Sequence, residues 1–509
     1  MAGRAITMQA LREPAGTKTG FTPHYRLVIL LLLAVYLAAG IACALTQRPW
    51  CDEAWNSSPA LSLMTRGFMG TPALETAGVW TKGIDRFTYW IMPLHPLSQI
   101  PFYALFGFSV LTLRAASMFW GVVGLFSWLV IVRRLTGDSL ASVLAFGLMA
   151  TDFIFVLRSS EGRMDIMSAS LGFAAFAVYL VCRERRLALA ILASHSLVCA
   201  SCFTHPNGIM PGAALVFLTL YFDRRRLRFS HLAVAAVPYG VGLLGWGWYV
   251  SQAPELARIQ LGGNASGRFR GFQAPLAALL AELKVRYLRS VGGWGPGLSL
   301  AHRPKIFVLA AYITGIAGVL ATGELRSKPG IRALLGMTAI YFAILTWYEG
   351  MKQPLYLIHI VPFFLAILGI WAAYLWQKRS NRLVLALGGV ILAAIQLGGV
   401  AYVVRRNTWR NAYAPAVAYL KQHAANKQIM GSSELGFDLG FFSHLTDDTR
   451  LGYDSGKTPD FIVVDSRYSD WFEGYKQNAP SIAGFIQNRL GNEYQPVFRH
   501  DEYTIYALR

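Results

Sequence analysis

Eleven stretches of this sequence are apolar for long enough to cross a bilayer, near 27–45, 115–132, 139–157, 164–182, 187–204, 206–222, 232–250, 306–322, 333–348, 354–376 and 383–404. Roughly 20 apolar residues cross the hydrocarbon core as a helix. In lipid each backbone N–H and C=O must be satisfied within its own segment, so these stretches commit the chain to a helical bundle. Hydrophobic residues make up 54% of the 509 and charged residues only 15%, too apolar a balance for a soluble globular chain. The formal charge of +20 does not point to nucleic acid. Lys and Arg fall in short runs between the apolar stretches, where they act as topology anchors. The first stretch follows a basic leader, as in a signal peptide, but it has full spanning length and reads as a retained helix.

One further segment is ambiguous. Residues 91–110, IMPLHPLSQIPFYALFGFSV, are long enough to span but carry three prolines, a histidine and a glutamine. Charge places them. If they do not cross, the loops at 133–138, 183–186, 223–230, 323–332 and 377–382 share a side with the N-terminus and hold fifteen Lys or Arg. The opposing short loops, 158–163, 205–208 and 349–353, hold three. If 91–110 crossed, the four basic residues of the N-terminal tail would oppose the other fifteen, against the positive-inside rule. The segment is therefore expected to be an interfacial or re-entrant helix on the outer face.

The expected architecture is an all-α polytopic membrane protein of about eleven transmembrane helices plus outer juxtamembrane helices. Its parity puts three long pieces outside: the first loop at 46–114, a Gly-rich loop at 251–303, and the tail. A helical pattern at 412–424 and strand-like runs at 461–465 and 503–508 make the tail a small extracytoplasmic α/β domain. The expected division is a transmembrane domain at 1–404 and this domain at 405–509. GGWGPG at 292–297 lacks the strand-turn-helix context of a nucleotide site and reads as a turn. Four of the five cysteines lie in or at the end of apolar stretches, leaving Cys51 as the exposed thiol. Cys199-x-x-Cys202 reads as helix packing, and no disulfide framework or zinc site follows.

The unusual polar residues collect at the outer helix ends. Asp52 and Glu53 follow the first span, between Trp50 and Trp55. Adjacent acids at a helix end are commonly just solvated, but a carboxylate wedged between tryptophans at a membrane surface is partly desolvated, which suits a general base. Asp152, Arg158, Glu161, Arg163 and Asp165 cluster where the third span hands over to the fourth. A charged turn is the plain reading, yet Asp152 and Asp165 border apolar sequence, where an unpaired carboxylate is costly. His95 and His205 also lie at outer ends, whereas His195 and His359 fall within spans and read as core residues. Lys352, with Tyr356, opens the tenth span, where it either snorkels or holds an anionic headgroup. Arg268 and Arg270 could do the same from the Gly-rich loop. Asn264-Ala-Ser266 matches a glycosylation sequon, a tripeptide common by chance.

This arrangement resembles the GT-C transferases that include protein O-mannosyltransferases and bacterial lipid A aminoarabinose transferases, over most of the chain. Members carry an Asp-Glu pair after the first helix, matched by Asp52 and Glu53, then a His-Pro-Pro-Leu-like motif and a juxtamembrane helix ending near Phe-Gly and a later Arg. Here His95, Pro96, Leu97, Phe106, Gly107 and Arg114 are similar, although the motif reads His-Pro-Leu-Ser. Arg163 with Asp165 resembles the polar element that opens the fourth span. Lys352, Tyr356 and Pro362 resemble a basic, Tyr-bearing segment before a late Pro-containing helix.

The resemblance implies inverting transfer of a sugar from a polyprenyl-phosphate donor to a lipid, glycan or protein acceptor, at the outer face of a bacterial inner membrane. It implies Asp52 as base, with Glu53 beside it in the catalytic site. His95, Arg163, Asp165, His205, Lys352 and Tyr356 would bind substrate. A divalent cation, Mg or Mn, is left open, with Glu53 and Asp165 as candidate ligands. The rival readings are a lipid or small-molecule transporter or flippase, and a non-catalytic glycan-binding scaffold. Membrane lipids are expected partners; nucleic acid is not.

Overall fold

The apolar stretches become helices because unbroken runs of Leu, Val, Ile, Ala and Phe satisfy their own backbone and leave only side chains facing lipid or neighbours. The computed structural model describes residues 21–268, 274–442 and 444–509. Its first span is α1 (Pro23–Thr46), followed in the first long loop by α2 (Cys51–Arg66) and α3 (Leu94–Phe106). The bundle continues with α4 (Val110–Thr136), α5 (Ser139–Thr151), α6 (Phe153–Ser159), α7 (Met164–Cys182), α8 (Leu187–Thr204), α9 (Ile209–Asp223) and α10 (Phe229–Ser251). The Gly-rich loop holds α11 (Pro254–Arg268), α12 (Pro275–Glu282) and a π-helical turn, Leu283–Val291. After it come α13 (Ile306–Ala321), the short α14 (Gly323–Arg326), α15 (Pro329–Trp347), α16 (Val361–Gln377) and α17 (Arg382–Arg406).

Among the described residues nine helices are long and apolar enough to span, and the bent pair α5–α6 makes a tenth. The chain is a multi-pass membrane protein. The eleventh expected stretch, 206–222, opens with a 3-10 turn at Pro206–Gly208, which leaves α9 only 15 residues. The ambiguous 91–110 segment forms α3, whose 13 residues are too few to cross at 1.5 Å per residue. The bend of 62° between α5 and α6 has a local cause in Asp152. Its Oδ1 accepts from the Phe155 amide at 2.8 Å, capping α6, while Oδ2 accepts from the Tyr312 hydroxyl at 2.8 Å and from Gln396. The buried carboxylate that looked unpaired in sequence is thus a helix cap inside the bundle, apart from the cluster that follows it.

The core is organised on α16, buried along most of its length. Trp128 of α4 is wedged edge-on between Phe173 and Phe363, at ring-centroid distances of 5.3 and 4.7 Å. A Cβ at Gly369 would press on the Ala145 backbone of α5, the small-residue contact that lets membrane helices approach. His195 donates to or accepts from Tyr239 at 3.0 Å and is a hydrogen-bonded core residue.

After α17 the chain forms α18 (Ala414–His423), β1 (Ile429–Met430), α19 (Gly436–Leu439), β2 (Leu445–Thr446), β3 (Phe461–Val464), α20 (Ser466–Asn478), α21 (Pro480–Asn488), β4 (Tyr494–His500) and β5 (Tyr503–Leu508). The sheet order is β2-β1-β3-β5-β4, with β1 parallel to β2 and β3, and β5 antiparallel to β3 and β4. The expected runs at 461–465 and 503–508 are neighbours at the centre of this sheet. The first loop joins it: Glu75 N donates to Asp447 O at 3.1 Å, and Asp447 N to Ala73 O at 2.6 Å. Cys51, expected as the exposed thiol, is buried instead, because the tail packs over the start of α2, and burial pushes its thiol well above the ordinary range.

Candidate functional site

At the end of the bundle that carries the α/β domain, the N-termini of α2 and α7 meet. Asp52 lies in the first turn of α2 and Asp165 in the first turn of α7, positions where helix dipoles favour carboxylates. Arg163 links them. Its Nε donates to Asp165 Oδ2 at 2.9 Å, its Nη1 pairs with Asp52 Oδ2, and its guanidinium lies 5.0 Å over the Trp50 ring. The Asp52 side chain keeps 24% of its surface exposed, against 3% for Asp165. A guanidinium carries five N–H groups, so Arg163 has hydrogens left after both contacts.

Glu53 has a different fate from its neighbour. Oε1 accepts from Arg114 Nε and the Gly162 amide, both at 2.8 Å, and Oε2 accepts from Arg114 Nη2 at 2.7 Å and the Trp50 amide at 2.9 Å. Four donors fill the acceptor sites of a carboxylate. Arg114 is itself held by the carbonyls of Ala44, Gln47 and Arg48. Glu53 is therefore the pin that fixes α2 against α4 and the α6–α7 turn, with no lone pair left for a substrate or a metal. This corrects its expected place among the reacting or metal-binding groups.

Three histidines surround Asp165: His95, His205 and His359 all lie within electrostatic reach of its carboxylate. His95 hydrogen-bonds Gln99 through Nδ1 at 3.0 Å, and burial pushes its pKa down to about 4, so the ring is neutral near pH 7. His359 is buried with neither ring nitrogen hydrogen-bonded, and Asp165 Oδ1 is likewise unmatched. His359, expected as a core residue with no acid near it in sequence, has one in the fold: Asp165, brought in from α7. No group of three His, Cys, Asp or Glu among the described residues is placed to hold a metal ion. Glu53 and Asp165, the candidate ligands for a divalent cation left open by the sequence, do not stand in such a group among the described residues.

Beside Asp165 opens a cavity of about 260 Å³, lined by Trp90, Met164, His205, Asn207, Asn264 and Tyr356 among others. His205 and Tyr356 stack at a tilted 5.3 Å there. Asn264 donates to the Trp90 carbonyl at 2.6 Å, so this sequon residue is part of the cavity wall. Trp90, Ile91 and Met92 of its wall are followed in sequence by Pro93 and Leu94, which line a second pocket of about 860 Å³. That pocket is lined by apolar residues of α2, α3, α8 and α10, including Leu97, Phe203, Val241 and Trp248.

Lys352 does not join this site. With φ at +55°, its side chain folds back, and its ammonium donates to the carbonyls of Leu345 (3.2 Å), Thr346 and Glu349 (2.9 Å). All three hydrogens are used, so Lys352 caps the end of α15 and is not available to a phosphate. It also lies 3.4 Å from Glu282, in a buried cluster where Arg286 pairs with Glu282 at 2.7 Å and with Glu349. Arg270 and the side chain of Arg268 lie outside the described residues.

No protein-family model and no curated protein matches the sequence. Solved structures do. ArnT from Cupriavidus metallidurans bound to undecaprenyl phosphate superposes with a TM-score of 0.62 at 15% identity, over 96% of this chain and 98% of its own. The Archaeoglobus fulgidus oligosaccharyltransferase in its apo form gives 0.53 at 13% identity, over 92% of this chain and 69% of its own. The archaeal oligosaccharyltransferase AglB from Archaeoglobus fulgidus, in complex with an inhibitory peptide and a dolichol-phosphate, also gives 0.53 at 13% identity, over 93% of this chain and 69% of its own. The chain has the GT-C glycosyltransferase fold that its helix-end residues resemble.

Proposed function

We propose that this protein is a membrane glycosyltransferase that moves a sugar from a polyprenyl-phosphate donor to an acceptor hydroxyl, with inversion. The observation that carries the reading is the chain Asp52–Arg163–Asp165, near a small cavity whose largely apolar wall carries His205, Asn207, Asn264 and Tyr356, and beside the domain that covers α2. The large apolar pocket among α2, α3, α8 and α10 suits a prenyl chain. ArnT and AglB, whose structures hold undecaprenyl phosphate and dolichol-phosphate, share the fold and so favour this donor chemistry.

In the proposed reaction Asp52 takes the proton of the acceptor hydroxyl, and the acceptor oxygen attacks the anomeric carbon. The bond from that carbon to the phosphate oxygen breaks, and its electron pair leaves with the lipid phosphate. Arg163, which has free N–H groups, stabilises the charge growing on that oxygen. Asp165 holds Arg163 in place. His205 and Tyr356 line the cavity and contact the donor sugar, and neutral His95 supports the α3 wall. Glu53 is a positioning residue. The excess of Lys and Arg in the loops at the opposite end of the bundle supports an outward-facing site and α/β domain at 405–509, taken here as the periplasmic face of a bacterial inner membrane.

The test is the purified protein in lipid nanodiscs, given a panel of polyprenyl-phosphate sugars, with release of polyprenyl phosphate measured in the presence of cell-envelope acceptor extracts. Release from at least one donor is expected. Folded protein that releases none across the panel would turn the account toward a transporter or scaffold.

A further inference from the structure

The tail contributes a second cleft next to the proposed base. It has a volume of about 330 Å³ and is lined by Arg48, Trp50, Ser466, Arg467, Asp470 and Trp471. Four of these residues come from the first two turns of α20, and two from the segment that leads into α2. Two tryptophans on the rim are open to solvent, Trp50 by 37% and Trp471 by 50%. Two exposed indoles on one depression offer flat apolar faces with a polar N–H edge.

The charges decide what such a surface accepts. Arg48 meets Glu434 at 3.5 Å, Asp465 at 3.4 Å and Glu502 at 3.1 Å. Arg467 meets Asp447 at 3.0 Å. Asp470 adds a further, exposed carboxylate. The two arginines are thus already matched by Asp465, Glu502 and Asp447, with Asp470 in addition, which leaves no surplus of positive charge to draw a phosphate or an acidic sugar. What remains is a mixture of N–H donors and carboxylate acceptors beside two indole rings. Hydroxyls match the first and the C–H face of a sugar ring matches the second.

The cleft also touches the chemistry. The Trp50 ring that lines it lies 5.0 Å from the Arg163 guanidinium, and Arg163 pairs with Asp52. The donor-side cavity is lined by Met164, which stands between Arg163 and Asp165 in sequence. The two cavities share no lining residue.

Resting on the transferase reading above, we infer that this cleft seats the acceptor, and that the acceptor presents a neutral sugar ring. A ring seated against Trp50 and Trp471 is linked to Asp52 through Trp50 and Arg163, with α20 acting as the selecting element.

Full-length protein in nanodiscs, titrated with neutral methyl glycosides of glucose, mannose, galactose and N-acetylglucosamine, tests this by saturation-transfer NMR. Glucose 6-phosphate and a Ser/Thr peptide serve as the contrasting probes, and Trp471→Ala and Asp470→Asn as the variants. Both positions are exposed on α20, and thermal melts check that the variants fold. At least one neutral glycoside is expected to bind, roughly tenfold more weakly in Trp471→Ala, the effect of losing one aromatic contact. Equal binding in Trp471→Ala, or preferred binding of the sugar phosphate or the peptide, overturns the proposal. The donor-release assay run alongside separates the two claims. Release without any glycoside binding sinks the cleft alone. Glycoside binding lost in Trp471→Ala, in protein that releases nothing from any donor, keeps the cleft as a sugar site and sinks the transferase reading.

Discussion

Two adjacent acids, Asp52 and Glu53, occupy opposite environments. One turn of helix carries both, yet Glu53 is saturated by four donors while Asp52 keeps exposed surface and a single cationic partner. Substitutions should separate them. Glu53→Gln leaves Arg114 buried with its charge unmatched, so a stability loss of about 3–5 kcal/mol is expected, seen as a lowered melting temperature. Lys352 gives the matching contrast among cations. Lys352→Met removes a helix cap and the ammonium beside Glu282, so it should lower the melting temperature yet leave the donor KM unchanged. A raised donor KM with an unaltered melt would instead make Lys352 a phosphate contact. The identity of Asp52 as an outlying acid was readable from its place after the first span. The saturation of Glu53 was not, because Arg114 and Gly162 reach it from 61 and 109 residues away.

Elements are held at this end by backbone fit as well as charge. Gly162, in the turn between α6 and α7, donates to Glu53, and a Cβ there would collide with Leu113. Gly162→Ala should therefore cost about 1–3 kcal/mol by overpacking and lower turnover together with stability, measured by melts and donor release on the same sample. The contact between α1's exit and the domain responds to pH. Burial and nearby Asp465 raise the Glu434 carboxyl from its ordinary 4.5 to about 8, against the opposing pull of Arg48. The folded state thus keeps a proton that the unfolded chain releases near pH 4.5, so stability from this group is greatest below that value and falls as pH rises toward about 8. The slope is at most about 1.4 kcal/mol per pH unit for one proton. Melts from pH 5 to 8 should show it, and Glu434→Gln should flatten it. The span helices and α3 were legible from apolar length, proline content and loop charge. The α5–α6 bend was not, since its cause is Asp152 bonding to Tyr312 and Gln396 on distant helices.

At the scale of the molecule the domain and the bundle form one working end. Arg48 reaches Asp465 across 417 positions of sequence, Trp55 donates to Ser433 and Asp447, and the first loop pairs with the sheet. Sequence pattern located a helix and two strands of the tail but carried no trace of these contacts, because each depends on where the folded bundle brings the first loop. Deleting residues 410–509 should consequently expose Cys51 and the stretch around residues 70–90, read as new thiol labelling and protease cleavage. A truncated protein with unlabelled Cys51 would mean the loop holds its shape alone. The central claim is that Asp52 accepts the acceptor's proton. The direct measurement compares wild type with Asp52→Asn, at matched melting temperature, for sugar transfer from a polyprenyl-phosphate donor. A fall in turnover of about 10²–10⁴ with an unchanged donor KM is the expected result for a general base; a fall of less than about tenfold would contradict it.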